Sequence, residues 1–173
     1  MDAGERLVRG STFMELQDRD LQLVRQTAAM VRQHAGTIVD DLYERLAAFP
    51  EAAALLARAS DATGEDIDRR REALKAWLRN VLTLVDQDSD WLPQALRSTG
   101  ALHAGASKSS VRVPLDLMVM TMASLQNSIN SLLIEVGHAS AEAVAAWGKL
   151  LWLIFDVMAS AYDDELPAGT NRT

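Results

Sequence analysis

Apolar positions recur along this chain at steps of three and four, and no segment alternates apolar with polar. That spacing belongs to amphipathic helices and leaves no candidate strand. The longest stripe is Leu115, Met118, Met122, Leu125, Ile129, Leu132 and Val136, opened by Pro114 in a place suited to a first helical turn. Gly137 closes that helix, and Ser140 can cap the next, spanning 141–165. This last helix carries two stripes, Val144–Trp147–Leu151–Ile154–Met158–Ala161 and Ala146–Leu150–Leu153–Val157. One stripe can face the core and the second is expected to face a partner, the alternative being that both are used inside one subunit.

Upstream, Thr12 and Glu15 have capping-box spacing, which predicts a helix from there to His34. Gly36 interrupts it. A helix over 37–48 follows, with Ile38, Val39, Leu42, Tyr43 and Leu46 on one side, and Phe49-Pro50 ends it. A short Ala/Leu-rich helix over 51–58, a turn at 60–64 and a helix over 65–85 come next. Gln87–Asp90 reads as a loop. A short helix from Trp91 to Leu102 then delivers His103 to a Gly/Ser-rich break, residues 105–110. Residues 1–11 read as a flexible lead-in, 12–166 as one domain and 167–173 as a tail. The fold class is all-α, with about seven or eight unequal helices and two long ones at the end.

Composition narrows the functions. At 173 residues, 49% hydrophobic and 24% charged, the chain is globular. A formal charge of −7 argues against nucleic acid. The lack of cysteine removes disulfides, zinc–thiolate sites, iron–sulfur clusters and thiol catalysis, and suits a reducing cytoplasm. Met1–Gly10 has no apolar core of a signal peptide, and the run Leu150–Phe155 is too short to span a bilayer, so no membrane is expected.

Of three histidines, His34 and His138 sit beside glycines near helix ends. His103 lies at the end of a mostly apolar segment, and a neutral imidazole is the commonest metal ligand. A lone histidine is a weak signal by itself. Arg69-Arg70-Arg71 reads as a solvated helix face, with Arg70 the one to turn inward. Met118, Met120 and Met122 read as core filler rather than axial ligands. Asp61, Glu65, Asp66 and Asp68 suit a turn and helix start, not a metal site. No nucleophile–base arrangement is legible, and a phosphoacceptor histidine would sit in mid-helix rather than before a Gly-rich break.

Three motifs carry a resemblance. Ile38-Val-Asp-Asp-Leu-Tyr43-Glu-Arg-Leu-Ala-Ala-Phe-Pro-Glu51 resembles the second-helix motif of globin-coupled sensors and protoglobins. Ala73-Leu-Lys-Ala-Trp-Leu-Arg-Asn-Val-Leu82 resembles their distal helix. Arg97-Ser-Thr-Gly-Ala-Leu-His103 resembles their proximal motif, except that Thr99 replaces the usual Ile and no aromatic residue follows in Val113–Leu117. The likeness covers residues 12–165.

The resemblance implies a globin-like fold and haem b, with His103 binding the iron through Nε2. It implies that Tyr43 is the distal residue facing a diatomic gas, O2 first, with Arg70 a further ligand contact. Ala73, Trp77 and Leu102 would line the cofactor. It also implies a bacterial, cytoplasmic gas sensor that pairs as a homodimer through helices 115–136 and 141–165. A ligand event would shift the His103 helix and rearrange those closing helices, signalling to an output domain or protein. No output module is legible, so the alternatives are a portion of a longer protein and a single-domain sensor globin. Haem-supported nitric oxide dioxygenation or peroxidation would be secondary to binding. The competing reading is a non-haem interaction domain on the same fold.

Overall fold

A computed structural model describes residues 1–86, 90–106 and 111–164. Among them are eight helices and no strand: α1 (Ala3–Phe13), α2 (Asp18–Gln33), α3 (Ala35–Ala48), α4 (Pro50–Thr63), α5 (Ile67–Asp86), α6 (Leu92–Ala104), α7 (Leu115–Glu135) and α8 (Ala141–Asp164). The all-α architecture expected from the spacing is therefore present, with its two longest helices last. The expected loop at 87–90 and the tail at 167–173 lie wholly or largely outside the described residues.

The N-terminal end differs from expectation. The first residues are not a lead-in but a helix. Asp2 accepts from the Glu5 N–H at 2.8 Å while Glu5 accepts from the Asp2 N–H at 3.0 Å. The Thr12–Glu15 pattern caps nothing. Glu15 stands at φ 51°, a left-handed conformation that cannot occupy a helix's first turn, and Thr12 donates to Val8 O inside α1. The next helix starts later, where the Gln17 N–H donates to Asp20. The helix expected over 51–58 also runs on to Thr63 and stops at Gly64, φ 69°.

α8 is the axis of the core. Trp147 is fully buried, and its indole donates to Thr27 of α2 at 2.7 Å. Trp152 donates to Gln126 of α7 at 2.7 Å. Leu150 and Leu153, expected to face a partner, are each 3% exposed. α1 covers that side. Arg6 forms a two-pronged ion pair with Asp156 at 2.8 and 2.9 Å, and Gly10 lies so near Leu153 that a Cβ there would come within 2.6 Å of it. α7 and α8 are long and apolar enough to cross a membrane by length and composition alone, so the short run 150–155 understated them. In this fold α8 is mostly buried within the domain, as a core helix is.

α6 packs directly on α8. A Cβ at Gly100 would collide with the Met158 backbone, so only glycine lets the two backbones meet. Gly100→Ala should lower stability by about 1–3 kcal/mol, the usual effect of overpacking, read as a fall in urea midpoint at unchanged slope. Leu153→Asp should unfold the domain under conditions where the parent is folded. A folded, monodisperse Leu153→Asp protein would place that side chain at the surface after all.

Candidate functional site

His103 stands in the last turn of α6, before Gly105 ends the helix at φ 92°. Its Nδ1 lies 2.8 Å from the Thr99 carbonyl, one turn back. A carbonyl can only accept, so Nδ1 carries the proton, and in the neutral ring this leaves the lone pair on Nε2. The imidazole is thereby oriented as a one-point metal ligand. The backbone is fixed as well: Val113 N–H donates to His103 O at 2.8 Å, and Tyr162 of α8 donates to Val113 O at 2.9 Å. Val113 thus anchors the chain by its backbone at the place where an aromatic residue is missing.

Trp77 of α5 is half-buried and donates to Thr99 Oγ1 at 3.0 Å. Thr99 therefore meets both Trp77 and His103. Nothing in the proximal motif singled it out except its departure from the usual Ile.

Tyr43 of α3 is buried, at 8% exposure. Burial pushes its phenol above the ordinary 10.0, and the charges of Arg70 and Arg71 pull the other way without winning. The inward arginine is not Arg70 alone. Arg70 donates to Ala59 O and Thr63 Oγ1 at 2.8 and 2.6 Å, stitching α5 to the end of α4. Arg71 lies over the Tyr43 ring, 5.5 Å from its centroid. Asp40, one turn before Tyr43, sits 4.0 Å from Arg71 and 2.9 Å from Lys75. The Asp40 hydrogen bond raises the Lys75 ammonium's pKa. Reading the arginine run as a solvated face overlooked Arg71. The clue was its place three residues ahead of Leu74 on the same helix face.

Of the other expected lining residues, Ala73 is exposed and Leu102 is 57% exposed. Two open grooves, of about 350 and 220 Å3, run between α3 and α7, and His103 lines neither. Among the described residues no three His, Asp or Glu side chains converge on a metal position. A single imidazole holds iron only where a macrocycle supplies the remaining ligands. The chemistry of two donors fits such a group: the His103 Nε2 left over once Nδ1 bonds Thr99, and the buried Tyr43 phenol.

A family model described as Protoglobin matches residues 5–167. Two curated relatives, each named Flavohemoprotein, come from Xylella fastidiosa strains Temecula1 / ATCC 700964 and 9a5c. Each is 25% identical over 138 residues, covering 80% of this chain and 32% of the relative. The chain thus spans about a third of the length of the curated relatives it matches.

The chain's two tyrosines give a pH test. Burial pushes Tyr162 to about 12 and outweighs the pull of Arg112, and Tyr43 is raised too. A raised folded pKa contributes stability that is full below the unfolded value near 10 and is lost as pH climbs through the folded value. Phenolate absorbance of the native protein should therefore lag that of the urea-unfolded chain. Arg71→Leu should delay it further, whereas superimposed native and unfolded titrations would deny the burial of both rings.

Proposed function

The chain belongs to the protoglobin family, whose cofactor is haem with its iron, and from that premise we propose that it is a sensor globin domain that binds O2 reversibly on His103. The observation that carries this reading is the His103 geometry, Nδ1 committed to Thr99 and Nε2 free. The haem supplies the iron that takes up a diatomic gas. Tyr43 keeps its proton at neutral pH and so can donate a hydrogen bond to a polarised ligand, with Arg71 adding positive potential beside it. His103 rides on α6, and Gly100 seats α6 directly on α8. A displacement of the imidazole therefore bears on the longest core helix, which is the route we assign to the signal.

We place the signalling contact, a homodimer or an output partner, on the closing helices. Because Leu150 and Leu153 are covered, that contact would use the exposed side of α7, where Val119, Met120 and Ile134 stand. Gas binding is the primary role, and haem-supported catalysis, as the likeness to flavohaemoproteins suggests, is secondary. The Trp77–Thr99 hydrogen bond favours a second reading, a haem-free interaction domain, because it ties α5 to the His103 side of α6.

A visible spectrum of the purified protein, before and after dithionite and CO, separates the two readings. His103→Ala should abolish the Soret band or leave haem that added imidazole restores, while His34→Ala and His138→Ala should keep it. A normal Soret band in His103→Ala would reassign the ligand. Tyr43→Phe should speed O2 release by at least roughly tenfold, the effect of losing about 1.5 kcal/mol. CO, the less polar ligand, should change far less, and equal effects on both gases would remove Tyr43 from hydrogen bonding.

A further inference from the structure

The Trp77–Thr99 contact has a consequence for how a cofactor reaches His103. Thr99 and His103 are four residues apart on α6, so their side chains stand side by side. Thr99 is unusually committed for a small residue. Its hydroxyl proton goes to Ala95 O at 3.0 Å, its lone pair accepts the Trp77 indole N–H at 3.0 Å, and its carbonyl accepts from His103 Nδ1 at 2.8 Å. A flat macrocycle held on His103 Nε2 would be wider than the 5.4 Å of one helical turn and would reach over Thr99. Indole and macrocycle would then claim the same ground. The isoleucine usual at this place in the resembled motif offers no acceptor, and no such competition would arise.

We propose that Thr99 is a positioning residue and that its bond to Trp77 is a latch across the haem site, which opens when haem seats on His103. Loading then frees the Trp77 indole and shifts α5 against α6. This rests on the haem reading above. It also makes the rate of haem uptake a property of Thr99, although Thr99 gives no ligand to the iron.

The test combines uptake kinetics with a local signal. The chain has four tryptophans, so 15N labelling gives four indole N–H resonances, and Trp77→Phe identifies one of them. On loading with haem in the diamagnetic ferrous–CO form, the Trp77 resonance should lose its hydrogen-bonded shift. The Trp147 resonance, whose bond to Thr27 lies elsewhere in the core, should keep its own. Thr99→Val should take up haem at least roughly threefold faster than the parent, the effect of removing one ordinary hydrogen bond. Trp77→Phe should do the same, and Thr99→Ser, which keeps the hydroxyl, should match the parent. Should Thr99→Val fail to fold, Trp77→Phe and Thr99→Ser still carry the comparison. Equal uptake rates in all folded forms, or a Trp77 resonance unmoved by loading, would overturn the latch and leave haem binding intact. Failure of every form to take up haem would overturn the haem reading and the latch with it.

Discussion

The meeting of Gly100 with the Met158 backbone is the constraint on which the rest of the structure depends. With any side chain at 100, α6 would have to stand off from α8, and everything α6 carries would move with it. The same turn holds Thr99 and His103 on a different side of the helix. One short segment therefore presses inward on the core axis and presents a ligand outward. Val113 and Tyr162 reinforce this by tying the chain after α6 back to both helices. The imidazole is placed by backbone contacts at every step, and backbone contacts tolerate little drift.

The surroundings of Tyr43 balance two opposing effects. Burial keeps the phenol neutral, while the charges of Arg70 and Arg71 would ease its ionisation. Asp40 restrains that field by drawing Arg71 and Lys75 toward itself. The result is a neutral donor beside a positive charge, in a place partly shielded from water. Such a setting strengthens a hydrogen bond to a polarised partner without creating a second base.

Most of the helices were legible in the sequence because their apolar stripes are long. α5, α7 and α8 each bury residues at three-four spacing, and proline and glycine mark the ends of α4 and α6. His103 and Tyr43 were legible through motif rather than pattern. What stayed hidden depended on tertiary partners. α1 buries only Ala3 fully, too little for a stripe, and its capping box duplicates the Thr12–Glu15 spacing that proved idle. The second stripe of α8 was visible, but at Leu153 its partner is α1 of the same chain. Arg71 looked like its neighbours until Tyr43 lay beneath it. Thr99 looked like a blemish in a motif, since a hydroxyl's worth depends on which donor arrives from another helix.

The arrangement of α1 bears on how this domain meets other molecules. Its hold on α8 is intramolecular, so Arg6 and Gly10 act at the high effective concentration of a short tether. Any helix approaching Leu153 from another molecule must outcompete a segment that never diffuses away. The first thirteen residues thus serve the chain as a built-in competitor, and the Leu153 flank of its core helix is kept from promiscuous association by covalent proximity.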